Sequence, residues 1–260
     1  MIRAIAFLVL FLLTHASLLL IFPFSLSHFF LGAGLYSAGT LLVLYLLFHP
    51  RNQWLVTNRS RVECRGRRCV SLTFDDGPTL FRTPELLDIL KESNVQATFF
   101  VIGKQAEQHP ELVRRAVADG HVIANHTYSH RHVFCFLTPS RLRSEIEKGQ
   151  EAIEEICGFR PRYFRSPVGL RHPLLDLYLK RAELEYISWT IRSFDTLLKQ
   201  PEAILNRIFR QVTPGDIILL HDNAAAGVML DVVPRLIREL KERGFEFVPV
   251  GSNQPAPVAA

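Results

Sequence analysis

The stretch Val70-Ser71-Leu72-Thr73-Phe74-Asp75-Asp76-Gly77-Pro78 decides the fold of this chain. Residues 70–74 are mostly apolar and β-branched, as a buried strand requires, and Gly77-Pro78 marks where pairing ends. Asp75 and Asp76 sit at that end. Two adjacent carboxylates repel and bring folding no gain, so the pair needs a chemical reason.

Working outward, apolar runs at residues 97–102, 121–124, 163–164, 186–189, 217–220 and 245–250 read as further strands. The segments between them read as helices. Pro84 opens one over 85–90, and Pro110 opens one that runs through Ala118 and stops at Gly120. Thr138 or Ser140 caps one that reaches Ile156 before Gly158. Pro173 opens another, and residues 201–211 and 231–243 complete the set. Strands alternating with helices predict an α/β fold with a parallel sheet and helices outside. About seven such units predict a closed or nearly closed barrel, with a doubly wound open sheet as second choice.

Ahead of this lies a different kind of chain. The protein has 260 residues, 48% of them hydrophobic, and the first fifty carry one charged side chain, Arg3. Apolar stretches run from Ile5 to about Phe22 and from Phe30 to about Leu47, each long enough for a hydrocarbon core of roughly 30 Å. With Pro23 and Ser25-Leu26-Ser27-His28 as the turn, they predict a two-span transmembrane hairpin over residues 1–50. The alternative is a signal peptide with a cleavage site at Thr14-His15-Ala16. Residues 51–68 read as a basic juxtamembrane linker with Arg51, Arg59, Arg61, Arg65, Arg67 and Arg68. Basic flanks predict that the domain at 69–250 is cytoplasmic. The tail, 251–260, reads as disordered. The net charge of +5 points to anionic membrane lipids as partners and not to nucleic acid, for which no motif occurs. On the cytoplasmic side Cys64, Cys69, Cys135 and Cys157 are expected as thiols, Cys135 as a buried one.

The residues behind each strand carry the chemistry. They are Asp75, Asp76 and Gly77; then Asn125, His126 and His130; then Arg165 with Ser166-Pro167-Val168-Gly169; then Asp195; then His221 and Asp222. In a parallel barrel all of these lie at one rim, where catalytic groups collect. A DD pair alone is usually a turn, and HxxxH alone is usually a helix face. At successive strand ends they make a site. Two histidines and one carboxylate form a metal set with open positions for water and substrate. The second carboxylate is then free to act as a base, and a cation between the pair removes the repulsion. Arg165 can orient the free carboxylate, and His221 can give a proton to a leaving group. His28, His109, His121 and His172 lack this context and read as structural or exposed; His132 has no assigned role.

These motifs resemble the polysaccharide deacetylase family, also called the NodB homology domain or carbohydrate esterase family 4, across nearly all of residues 69–250. Thr73-Phe74-Asp75-Asp76-Gly77-Pro78 is similar to its first motif and His126-Thr127-Tyr128-Ser129-His130 to its second. Arg165-Ser166-Pro167-Val168-Gly169 is similar to the third, Trp189 with Asp195 to the fourth, and Leu219-Leu220-His221 to the fifth. The resemblance implies a distorted (β/α)7 barrel and a metal-dependent carbohydrate N-deacetylase. It implies Asp76, His126 and His130 as metal ligands, Asp75 as base, His221 as acid, Arg165 and Asp195 as their orienting partners, and the Val168 N–H as oxyanion donor. The cofactor is expected to be a divalent transition metal, zinc first, with cobalt, nickel or iron also suited. Val168 stands where the family usually has Tyr, Arg192 where it has Asp, and Thr196 where it has a sugar-side Trp. An N-acetylated amino sugar, on a glycan or a lipid-linked saccharide, is the expected substrate. A deformylase on a lipid-linked amino sugar and a catalytically silent glycan-binding membrane protein are the alternatives.

Overall fold

The computed structural model describes residues 2–19, 26–49, 51–224 and 227–251. Two helices come first, α1 (Ile2–Leu19) and α2 (Leu26–Phe48). The domain behind them runs β1 (Asn58–Arg59), β2 (Cys69–Gly77), α3 (Thr83–Glu92), β3 (Thr98–Val101), α4 (Gly103–Gln108), α5 (Pro110–Ala118), β4 (Val122–Asn125) and α6 (Pro139–Cys157). It continues with β5 (Tyr163–Phe164), α7 (Leu175–Arg181), β6 (Glu185–Ile187), β7 (Ile191–Arg192), α8 (Pro201–Phe209), β8 (Asp216–His221), α9 (Val228–Glu242) and β9 (Glu246–Phe247).

All strand pairs are parallel, in the order β1-β6-β5-β4-β3-β2-β8-β7, with β9 on the first residues of β2. The stretch from β6 to β7 pairs with β5 at its start and with β8 at its end. The two ends of the curled sheet therefore meet in one kinked piece of chain, and the sheet is a distorted barrel, not a doubly wound open sheet. The expected strand at 186–189 is split by that kink. The expected last strand at 245–250 shortens to β9.

Proline at the helix starts and an αL glycine, Gly158 (φ 75°), after α6 set the helix limits much as their stereochemistry demands. In β2, Val70, Leu72 and Phe74 face outward onto Leu86, Leu87 and Leu90 of α3 and Val232, Val233 and Leu236 of α9. Cys69 faces the barrel interior with Phe100, Ala124, Ile187, Trp189, Ile217 and Leu219. Burying a leucine such as Leu72 or Leu87 stabilises the fold by about 1.5–3 kcal/mol. The same alternation decides where the residues at the strand ends point.

Several expectations for the N-terminal part need correction. Among the described residues one helix, Phe29–Phe48, is long and apolar enough to cross a membrane, as an anchor or a signal sequence would be. Two spans are not established. Ser27 and His28 belong to α2, not to a turn, while Pro23, Ser25 and the tail 252–260 lie outside the described residues. α1 packs on α2 where Gly39 faces Thr14; a Cβ there would lie 1.9 Å from the Thr14 methyl.

Residues 51–68 are not a free basic linker. Leu55 and Val56 are buried, β1 pairs with β6, and most of the arginines are bound to the barrel. Arg59 pairs with Glu185 at 2.7 Å, Arg61 with Asp216 at 2.7 Å and Arg67 with Glu246 at 2.6 Å, and Arg68 lies over Phe245. Cys64 and Cys69 form a disulfide, so the expectation of four thiols is overturned. A disulfide persists in oxidising compartments, and arginines that belong to a folded domain count little toward orientation. The cytoplasmic placement loses its support on both grounds. Cys135 is free and buried, as expected. Thiol counting on denatured, unreduced protein should find two reactive groups, Cys135 and Cys157, and four after reduction. Four before reduction would return Cys64 and Cys69 to the thiol state.

Candidate active site

The strand pleat supplies most of the site. Odd-numbered residues of β2 face inward, which carries Thr73 and Asp75 into the barrel. The same rule carries in His221 behind Ile217 and Leu219, His126 behind Ala124, and Arg165 behind Tyr163. By that rule Asp76 would face the helices. It does not, because β2 shifts register between Asp75 and Gly77: Asp75 pairs with Phe100 and Gly77 with Val101. Asp76 is the extra residue of a bulge, with φ at 74°, and its carboxylate is turned back beside that of Asp75. Gly77 must be glycine, since a Cβ there would lie 2.0 Å from the Asp222 carboxylate.

Asp76 Oδ1 lies 3.0 Å from His130 Nε2 and 3.4 Å from His126 Nε2. The His126 Nδ1–H donates to the Arg165 carbonyl at 2.8 Å, which leaves its Nε2 lone pair aimed at Asp76. Burial works against the Asp76 charge; protonated imidazoles at these distances would outweigh it and hold the carboxyl far below the usual range. Asp76 Oδ1 is nonetheless buried without a hydrogen-bond partner. A buried oxygen and two nitrogens converge here, all within 4.8 Å of one another. This donor set fits a divalent transition metal.

His130 reaches this point through a loop bent by Thr127 (φ 67°) and His130 itself (φ 51°). The loop is tied to α6. Glu145 accepts from the Ser129 N–H at 2.8 Å and its hydroxyl at 2.6 Å. Asn125 donates to the Ile146 carbonyl at 3.0 Å and accepts from the Thr127 N–H at 2.7 Å.

Asp75 is held differently. Arg165, with no exposed surface, donates to Asp75 Oδ1 at 2.6 Å, to Thr73 Oγ1 at 2.9 Å, and to the carbonyls of Ile187 and Ser188 at 3.2 Å each. Its guanidinium lies 3.9 Å over the Phe100 ring. Beside Asp75, as its register partner on β8, stands His221, whose Nδ1–H donates to buried Asp195 at 2.8 Å and whose backbone N–H donates to the other Asp195 oxygen at 2.7 Å. Burial disfavours the imidazolium, but Asp195, with Asp75 and Asp76 behind it, raises His221 above the ordinary histidine range. Val168 sits at a turn with φ at 57°, and the Trp189 ring fills the space beside the next residue, Gly169.

Seven of the eight expected residues therefore meet at the rim, and the eighth, Val168, stands exposed on the loop behind Arg165. Of the other two departures from the family pattern, Arg192 stacks on Phe194 and Thr196 is exposed. His121 and His172 are structural; burial pushes His121 down to about 4 and also lowers His172. Sequence reasoning missed the supports. Asp222 was noted at its strand end but given no role. Burial chiefly raises it to about 6, and it accepts from Thr83 at 2.5 Å and Thr79 at 3.3 Å, tying β2 to the start of α3. Its adjacency to His221 was the available signal. Glu145 gave no signal beyond its place on the inner face of α6.

A family model described as polysaccharide deacetylase matches residues 63–187. A peptidoglycan-N-acetylglucosamine deacetylase of Bacillus cereus is 36% identical over 188 residues, covering 70% of this chain and 67% of the relative. A chitooligosaccharide deacetylase of Bradyrhizobium is 35% identical over 205 residues, covering 74% and 93%. The crystal structure of the Bc1960 peptidoglycan N-acetylglucosamine deacetylase superposes with a TM-score of 0.69 at 34% identity, over 75% of this chain and 91% of that one. A family 4 pseudoenzyme from Bacillus anthracis, BA3943, superposes with a TM-score of 0.68 at 25% identity, over 74% and 67%. The fold, the motifs and these likenesses agree: the chain belongs to the polysaccharide deacetylase family.

The His221 imidazole should titrate above the ordinary histidine range in an NMR experiment. Asp195→Asn removes the negative charge that favours its protonated form, so the titration should move to lower pH. An unmoved titration would break the His221–Asp195 link.

Proposed function

We propose that this protein is a metal-dependent hydrolase that removes the N-acetyl group from an amino sugar of a glycan or lipid-linked saccharide. One observation carries the reading. Asp75 and Asp76 share a wall of the site, yet one is clamped by Arg165 and the other is set against two imidazoles. The names of the relatives, deacetylases of peptidoglycan and chitooligosaccharides, support the substrate class.

A divalent cation, zinc by preference, would be held by Asp76, His126 and His130 and would supply Lewis acidity to the acetyl carbonyl and to a water. Asp75 takes the proton of the attacking water on Oδ2, the oxygen that Arg165 leaves open. Arg165 fixes the direction of that carboxylate through its 2.6 Å hydrogen bond to Oδ1. The backbone N–H of Val168 is offered to the carbonyl oxygen as negative charge grows on it. His221, kept protonated by Asp195, gives its proton to the nitrogen as the C–N bond breaks. Acetate and a free amine leave.

A deformylase would use the same residues and release formate. A silent glycan binder is disfavoured because no ligand, base or acid is missing from the set. The apolar helix α2 supports a membrane-held enzyme, and the Cys64–Cys69 disulfide supports a catalytic domain on the non-cytoplasmic side.

Asp76→Ala should lose both bound metal and acetate release from an N-acetylated chitooligosaccharide. Asp75→Asn should keep the metal and lose on the order of 10²- to 10⁴-fold in rate, the usual range for a general base. Metal analysis beside the assay separates the two roles; equal metal content in both variants would refute the division.

A further inference from the structure

Beyond β1, the large apolar side chains that stand exposed among the described residues are Leu80, Phe81, Val133, Phe136, Val168 and Leu197. Every one lies in a loop that leaves the C-terminal end of a strand. Leu80 and Phe81 follow β2, Val133 and Phe136 follow β4, Val168 follows β5, and Leu197 follows β7. Phe81 is 82% exposed, Phe136 76% and Leu197 71%. The loops at the opposite end of the barrel expose none. The catalytic mouth is thus ringed by apolar tips, which cost free energy in water and mark a surface made for a partner.

The charges in these loops share one sign. Residues 78–82, 126–138, 165–174 and 193–200 hold a single carboxylate, Asp195, and it is buried beneath His221. Their exposed charges, Arg131 and Lys199, are basic, with Arg131 paired to Glu145 of α6 at 3.5 Å. Apolar tips with basic neighbours and no acid match the boundary between headgroups and acyl chains of an anionic bilayer.

The apolar helix ends at the same face. The Arg171 N–H donates to the Leu47 carbonyl at 3.3 Å, and its buried guanidinium, packed over Tyr186, donates to the His49 carbonyl. Arg171 is three residues beyond Val168 on the same loop. The Asn52 side chain donates to the Leu46 carbonyl at 3.0 Å, and Leu55 packs on Leu46 and Leu47. The end of α2 is therefore fixed to the loop that carries the oxyanion residue. Away from that end, Leu31, Leu35, Leu41, Leu42 and Leu44 of α2 are exposed.

We infer that the catalytic face lies on the membrane that holds α2, with Phe81, Phe136 and Leu197 dipped into the interface, and that the substrate is an amino-sugar saccharide attached to a membrane lipid. The substrate half rests on the deacetylase reading; the docking half rests on the apolar ring and the α2 junction alone.

The test uses the full chain in anionic vesicles with lipids brominated near the headgroup end of the acyl chains. Phe81→Trp and Phe136→Trp should each add emission that bromine quenches roughly twofold or more, as expected for a side chain 5–10 Å into the boundary. Glu92→Trp, at the far end of α3, should add emission that bromine leaves unquenched. Equal quenching at positions 92 and 136, or none at 136, overturns the docking. A second arm assays an N-acetyl oligosaccharide, free and on a lipid diphosphate in the same vesicles. Phe81→Ser with Phe136→Ser should lower the ratio of lipid-linked to free turnover by about tenfold or more. An unchanged ratio, or a ring that instead proves needed for free oligosaccharide, overturns the substrate assignment. Absence of acetate from both substrates with quenching intact would sink the deacetylase reading and spare the docking.

Discussion

A guanidinium with no exposed surface stands inside the barrel, and the site is arranged around it. Arg165 is held by one carboxylate, one hydroxyl, two backbone carbonyls and an aromatic face, drawn from β2, β3 and the end of β6 with the residue after it. Burial of a charge is expensive, and loss of one partner of a buried pair costs about 3–5 kcal/mol. That cost locks Asp75 in one place. Its other oxygen lies 3.8 Å from His126 Nε2, on the side where the proposed chemistry needs a base.

The second constraint is the pleat. Asp75, His126, Arg165 and His221 all point inward because strands alternate. Two adjacent residues of one strand cannot both do so without an irregularity, and the bulge at Asp76 provides it. Left-handed backbone at Asp76, Thr127, His130, Val168 and Phe194 clusters around the same centre, while three other non-glycine cases, Arg65, Asn94 and Glu183, lie elsewhere. Strain of order 1–3 kcal/mol per residue survives only where the surroundings over-determine it. Here those surroundings are Glu145 and Asn125 under the histidine loop, Asp222 under Gly77, and Trp189 under the Val168 turn. The fold spends stability on gathering Asp76, His126 and His130 at one point while Asp75 is held on Arg165.

The sequence disclosed this site because polar residues at strand ends break an apolar pattern and share one rim. Asp75, His126 and His221 could be found by that rule alone. Register could not: the spacing of Asp75 and Asp76 says nothing of a bulge, so which carboxylate meets the imidazoles was open until the family motif was matched. Long-range pairing was equally hidden. Arg59, Arg61 and Arg67 look like a basic tether in one dimension, and their partners Glu185, Asp216 and Glu246 are more than a hundred residues away. Cys64 and Cys69 look like neighbours on a loop, and only the chain's turn brings their sulfurs together. Helix limits marked by proline, such as α5, were read closely, whereas the kink between β6 and β7 left no mark in an apolar run.

The account stands or falls on where a cation binds. Anomalous diffraction from crystals loaded with zinc locates it directly. The arrangement predicts one peak about 2.0–2.2 Å from Asp76 Oδ1, His126 Nε2 and His130 Nε2. Asp75 should stay on Arg165 and outside the ligand sphere. A peak bridged by both aspartates, or none at this cluster, would contradict the division between ligand and base on which the proposed chemistry depends.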